Sequence, residues 1–402
     1  MQTTPAALVA ASCLPAAPAQ ASDYVVVGPS AAYTSVQQAL DDTPGSTVVL
    51  VESGTYNAGF TVKKDGRVVL GAPADGAGLP VFEGTVRVES ADRVVLRDFH
   101  VRAPAIAITN GLVVRESFLL HVEGVTVREC VQYAGDVADS SASFVDCELI
   151  GLSSDVPWHG AGQGLRALNS ALTLHATTVR GGHGENGGIF NPSSGRHGAT
   201  LEGGAFFAVD STFSGGNGGK GYSEIFSCVG GKPGGHGLVL TSAPFQQQFA
   251  YNCVFSGGSG GAGAGASSGS CAPGADGLPV DDPAASLLEF TGPMPTLTTI
   301  GAPSGDDISA TLLGEPGHLS LVLGGATPEL FWYGDTLGYL MLDFNPLLQS
   351  WNWIPGSGEV PLFFPDLWVG CTELLVLQGV TVDPMLGIAR STNRSVLFRT
   401  CL

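Results

Sequence analysis

Phe144-Val145-Asp146-Cys147-Glu148-Leu149, Phe206-Phe207-Ala208-Val209-Asp210-Ser211-Thr212-Phe213 and Phe249-Ala250-Tyr251-Asn252-Cys253-Val254-Phe255 repeat one design: an apolar run, Asp or Asn, a small residue, any residue, then a large apolar one. The shared polar-small step predicts a bend between two faces of a coil rather than one flat strand. Outward from these three, Val94 to Val101, Val113 to Phe118, Val125 to Cys130 and Leu172 to Val179 are further short β-branched runs. Recurrence of one supersecondary unit is the mark of a solenoid, whose repeats bury their apolar side only by stacking. Gly181-Gly182, Gly215-Gly216 and Gly257-Gly258 follow the apolar anchors Val179, Phe213 and Phe255, and the glycine-rich loops after them lengthen along the chain. Strands that stay in phase while loops on one side grow predict stacked coils, with glycine at positive φ serving the tight returns. Cys228 and Cys271 occupy corresponding places in two consecutive loops and are the expected disulfide.

Composition agrees with a repeat. The 402 residues include 58 glycines, 44% are hydrophobic and only 13% are charged. That is about twice the usual glycine share of roughly 7% and too apolar for disorder. With 36 acidic against 17 basic side chains the net charge is -19, which repels phosphate backbones and anionic lipid surfaces and excludes nucleic acid as the expected partner.

Residues 1–21 are small and apolar and end in Ala19-Gln20-Ala21, an A-x-A cleavage pattern, so 1–21 is read as a signal peptide although Lys63 is the first basic residue. No other apolar run approaches the length of a membrane span, and the protein is expected to be secreted or on the cell surface. Beyond Cys13 seven cysteines remain, none in a C-x-x-C spacing, which predicts disulfides with one thiol over rather than zinc or dithiol chemistry. Ser35, or Thr34, can cap a short helix whose apolar residues Val36, Ala39 and Leu40 share one face, ahead of the Pro44-Gly45 turn and the strand Thr47 to Val51.

A short amphipathic helix before the first coil, followed by repeating strands and bends, resembles the pectin-lyase-like right-handed parallel β-helix superfamily, in which such a helix covers the open end. The resemblance spans about two thirds of the chain and implies an all-β solenoid over 22–285. From 291 to 402 the Gly-Gly loops vanish and four of the five tryptophans appear, which reads as a small β-sandwich. Its stretch Leu374 to Gln378, Val380 to Val382 and Thr392-Asn393 resembles a C-terminal domain recurring on exported bacterial proteins, which implies export, attachment or folding support.

The superfamily fold hosts several chemistries, so each must be sought in residues. Gly135-Asp136-Val137-Ala138-Asp139 resembles the pectin methylesterase motif without its aromatic and glycine. Gly182-His183-Gly184 and Gly235-His236-Gly237 match only the first element of the polygalacturonase pattern. Calcium-assisted β-elimination needs carboxylates for the cation and a base for the proton beside a uronate carboxyl. Arg97-Asp98, Arg115-Glu116 and Arg128-Glu129 supply those groups. Repeated Arg-acid pairs on stacked strands more commonly form a solvated charge ladder. No motif calls for a cofactor; calcium is the one ion these carboxylates suit. Trp351 and Trp353, two apart on a strand, share a face that is either core or a platform for a sugar ring. The sequence reading is therefore an exported, non-catalytic β-helix acting as a structural or glycan-binding module with a polysaccharide or cell-surface glycan as partner. The alternative is a polysaccharide lyase acting on acidic polysaccharide through Arg97, Asp98, Arg115 and Glu116.

Overall fold

The computed structural model describes residues 24–45, 47–72, 78–102, 110–153, 161–187, 191–223, 228–241, 248–266, 269–290, 296–301, 308–325, 331–332, 339–340, 348–364, 373–382 and 389–399. The signal peptide expected over 1–21, and with it Cys13, lies outside these residues, as do Cys371 and Cys401.

The first described strand, Tyr24–Val27, leads into the helix Val36–Asp42. Ser35 caps that helix by accepting from the Gln38 N–H, and Val36, Ala39 and Leu40 are its buried residues. At the other end the fully buried Arg67 guanidinium donates to the Leu40 and Thr43 carbonyls, occupying the orphan acceptors of the last turn. Apart from the antiparallel pair Gly265–Ala266 and Gly269–Ser270, the strands that follow as far as Phe290 pair in parallel, each with its counterpart one coil before and one coil after. They form three faces of a right-handed parallel β-helix. Face 1 includes Val95–Arg97, Leu120–Glu123, Ser141–Val145 and the second half of Gln163–His175. Face 2 includes Val86–Glu89, Leu112–Arg115 and Tyr133–Ala138. Face 3 is a separate eight-stranded sheet that includes His100–Arg102, Thr126–Cys130, Glu148–Gly151 and Thr212–Ser214.

The polar-small step is the corner between faces 1 and 3. Asp98, Asp146, Ala176, Asp210 and Asn252 adopt φ of 57°, 50°, 48°, 47° and 49°, and Gly124 stands in the same column at 61°. Asp and Asn tolerate this left-handed geometry better than other non-glycine residues, which explains their place in the repeat. The small residue after the corner points inward and satisfies backbone groups there. Cys147 N–H donates to Thr177 Oγ1 and Thr177 N–H to Ser211 Oγ. The Thr177 and Ser211 hydroxyls donate to the His175 and Val209 carbonyls. At the corner between faces 2 and 1 the same device recurs: Ala91, Ser117 and Ser140 N–H donate to Ser117, Ser140 and Ser170 Oγ. These columns supply buried acceptors at bends where strand pairing stops.

Between the corners, inward rows stack in register. Leu96, Val122, Phe144, Leu174 and Ala208 form one continuous buried row across five coils of face 1. The end near the helix is filled by an edge-to-face cluster of Phe60, Phe82 and Phe99.

The cysteines depart in part from expectation. Cys228 and Cys271 form the disulfide, with Cα atoms 5.9 Å apart. Cys147 and Cys253 are in no disulfide, so more than one thiol is left over. Cys147 and Cys253 sit in the small-residue column and donate from Sγ to the Val145 and Tyr251 carbonyls. Burial pushes their thiols up to about 12 and about 11, which keeps them protonated and unreactive.

The glycine loops also differ from expectation. Among the described residues, no glycine between Gly181 and Gly198, Gly215 and Gly237, or Gly257 and Gly277 adopts positive φ. They are required by close approach. A Cβ on Gly216, Gly219, Gly258 or Gly261 would lie 1.7–2.0 Å from a carbonyl of the preceding coil's loop. One on Gly215, Gly218 or Gly221 would lie 1.9–2.1 Å from a carbonyl in the returning leg of its own loop. A contact pattern that repeats every third residue is that of an extended threefold helix. Each loop thus leaves as one such leg and returns as another, and Gly258 N–H to Gly235 O, Gly235 N–H to Gly216 O and Gly216 N–H to Arg196 O, each 2.8 Å, tie successive legs together. The disulfide joins the second loop to the third at their far ends.

Past residue 290 the pairing becomes antiparallel. Thr296–Gly301, Ile308–Leu313 and Glu359–Phe364 form one sheet, and Leu348–Trp353, Leu319–Gly325, Glu373–Val382 and Ala389–Arg399 form a second. Leu297, Leu312, Val322, Ile354 and Val360 are buried in this small sandwich.

Candidate functional site

Outward-facing residues of face 1 also stack in register. One column runs Val95, His121, Ser143, Thr173, Phe207; the next runs Arg97, Glu123, Val145, His175, Val209. Within them Arg97 Nε donates to Asp98 Oδ2 at 3.1 Å, and Arg97 Nη2 lies 3.6 Å from Glu123 Oε1. Glu123 Oε2 is 3.2 Å from His121 Nε2. Burial raises the carboxyls of Asp98 and Glu123 above their ordinary values, and the Arg97 guanidinium pulls both back. His175 is held below its usual value by burial, against the pull of Asp210 and Asp146. His121 Nδ1, Ser143 Oγ, Thr173 Oγ1 and His175 Nδ1 are buried without a hydrogen-bond partner. His121, Ser143 and Thr173 are residues that sequence reasoning missed; nothing marks them until the register sets them side by side.

The three Arg-acid dipeptides do not meet in one groove. Arg97 is on face 1, Arg115 on face 2 and Arg128 on face 3. Arg115 is committed to the buried Asp136 carboxylate and to the Asp136 and Val114 carbonyls. Asp136, the residue of the methylesterase-like stretch, is thereby consumed by Arg115 and Asn110. Glu116 forms a corner at φ 48° and accepts from Ser90 Oγ. Arg128 pairs with Glu148, and Glu129 with Arg102. These are rungs between coils, worth little individually where they are exposed. Among the described residues no group of three or more His, Cys, Asp and Glu side chains is placed to hold a metal ion.

No family model and no curated protein matches the sequence. Among solved structures, a pectin methylesterase in complex with hexasaccharide VII is 11% identical, with TM-score 0.38, over 58% of this chain and 79% of that one. The pectin methylesterase from Aspergillus niger is 11% identical, with TM-score 0.34, over 68% and 86%. Tailspike protein 2 of Escherichia coli O157:H7 bacteriophage CAB120 is 10% identical, with TM-score 0.24, over 95% and 64%. The chain's own pairing, three parallel faces advanced one coil at a time, decides the fold. It is a right-handed parallel β-helix.

On this β-helix the two Gly-His-Gly stretches belong to the glycine legs. His183 Nδ1 accepts from Asn217 N–H of the next loop, and His236 Nδ1 from Leu278 N–H. Both histidines therefore serve the loop framework. In the C-terminal sandwich Trp353 ends the strand Leu348–Trp353 opposite Leu319, with 63% of its surface exposed beside the exposed Asn352. The side chain of Trp351 lies outside the described residues.

Proposed function

We propose that this protein is an exported, non-catalytic β-helix that binds a glycan through its C-terminal sandwich. The observation that carries the reading is the exposed Trp353 indole, held on a strand paired along its length with Leu319–Gly325. A rigid, solvent-facing aromatic offers an apolar face to a sugar ring at little conformational cost. The parallel coils provide a stiff stalk, and Arg115, Glu116, Arg128 and Glu129 are spent on linking them. Export is supported by the Cys228–Cys271 disulfide, and no described helix is long and apolar enough to cross a membrane.

Calorimetric titration of a polysaccharide panel, neutral and acidic, tests the reading. Trp353→Ala is expected to weaken binding about tenfold, the equivalent of roughly 1.4 kcal/mol, without a change in melting temperature. Equal affinity in the variant, or no binding across the panel, would remove this function.

A second reading has its own observation, the Arg97-Asp98-Glu123 cluster with carboxyls raised by burial next to His121. Carboxylates of that kind suit acid-base work on an acidic polysaccharide, with calcium as the accompanying ion. Ultraviolet absorbance of unsaturated uronides, released with calcium present and lost in Arg97→Ala, would establish a lyase in place of the binding module.

A further inference from the structure

The glycine legs expose one residue in three, and at those positions side chains reach to the next coil. Asn186 Oδ1 accepts from Lys220 N–H at 2.9 Å, and Asn217 Oδ1 from Ser259 N–H at 3.0 Å. In the returning legs the same staple is made by imidazoles. His197 Nδ1 accepts from His236 N–H at 3.0 Å, His236 Nδ1 accepts from Leu278 N–H at 2.8 Å, and the two rings stack with centroids 5.0 Å apart. A histidine can accept at Nδ1 only while neutral with its proton on Nε2; the imidazolium has no acceptor. Asparagine at the equivalent position has no such limit.

We infer that the returning legs of the three glycine loops carry a pH-sensitive histidine pair, His197 and His236, whose staples to the His236 and Leu278 amides open on mild acidification. Protonation of either ring turns its backbone contact from donor-to-acceptor into donor-to-donor. The stack then brings two cations into contact. The charged groups facing the pair act in both directions. Arg196 and His236 oppose a charge on His197, while Asp281, whose Oδ2 is 3.8 Å from His236 Nε2, favours one. Burial works with the first group and holds His197 below its usual value. A histidine lowered in this way supports the folded legs above its unfolded value of about 6.5 and loses that support as pH falls through its folded value. The Asn staples of the outgoing legs and the Cys228–Cys271 bond at the far ends carry no imidazole, whereas His183, whose Nδ1 accepts from Asn217 N–H, is a third histidine staple at the start of the outgoing legs. Backbone bonds from Gly195 N–H to Pro233 O, Gly198 N–H to His236 O, Gly234 N–H to Ala275 O and Gly237 N–H to Leu278 O also join the returning legs and do not titrate, so acid opens the legs locally, at the His236 and Leu278 amides.

Amide hydrogen exchange of the full chain, corrected for the intrinsic rate, reads the staples individually. The amides of His236 and Leu278 are expected to exchange at least tenfold faster at pH 5 than at pH 7.5, with those of Lys220 and Ser259 unchanged. His197→Asn with His236→Asn should hold the first two slow at both pH values, and the corresponding Ala pair should leave them fast at both. Protection of His236 and Leu278 that is equal at the two pH values in the unsubstituted chain would overturn the inference. So would an acid response that persists in the Asn pair.

Discussion

Replacing Gly216 by alanine puts a methyl group where the stack has no room. Its Cβ would lie 1.9 Å from the Gly182 carbonyl oxygen and 2.4 Å from the carbon bearing it, both backbone atoms of the preceding loop. Ordinary contact lies at roughly 3.5 Å, so the legs must separate by about 1.5 Å. That displacement breaks Gly216 N–H to Arg196 O and Gly235 N–H to Gly216 O, now 2.8 Å each. Two backbone bonds at about 1 kcal/mol apiece, with at least 1 kcal/mol of overpacking, give a loss of about 3 kcal/mol. Gly356→Ala is the control, because a Cβ there has nothing within 4 Å and φ is not in the left-handed region. Thermal unfolding should show Gly216→Ala melting about 4–5 °C lower, with Gly356→Ala near the unsubstituted value. Equal melting temperatures for the two variants would refute the argument that glycine is present for close approach.

Phe144→Ala empties the middle of the inward row of face 1 and should cost about 3–5 kcal/mol in denaturant unfolding. Ser140→Ala leaves the buried Ser117 N–H without its acceptor; about 1–3 kcal/mol is expected in the same assay, and a neutral result would contradict the role given to the hydroxyl column. Because the Glu123 carboxyl is raised by burial, the folded chain holds the extra proton between the unfolded and folded values, and stability falls as pH rises through that window. Glu123→Gln should therefore gain in melting temperature on the unsubstituted chain as pH goes from 4 to 7, and a gap constant with pH would count against it.

The coil corners were legible because their residue types answer a local demand. Asp146, Asp210 and Asn252 mark left-handed bends, and the small residues after them face the interior, where only a small side chain can meet the backbone of the next coil. The capped helix and the Cys228–Cys271 pair were legible for similar reasons of spacing. The glycine loops were read as turns, because a glycine required by contact and one required by positive φ look alike in sequence. Their three-residue rhythm separates the two, and at Gly215-Gly216-Asn217-Gly218-Gly219-Lys220 it is visible once sought. The His121, Ser143 and Thr173 column was hidden by uneven coil length: successive turns advance by 22, 30, 34 and 42 residues, so no fixed period aligns them. The same unevenness made Arg97, Arg115 and Arg128 look equivalent although they stand on three different faces.

Amide exchange over 215–223 and 228–237 at neutral pH tests most directly whether the glycine loops continue the β-helix as stacked, hydrogen-bonded legs. Gly216, Gly218, Gly219, Gly234 and Gly235 N–H all donate to carbonyls of neighbouring legs, and they should exchange as slowly as the strand amides of Ala199–Val209. Exchange at the rate of an unstructured glycine-rich peptide would contradict the stacked arrangement.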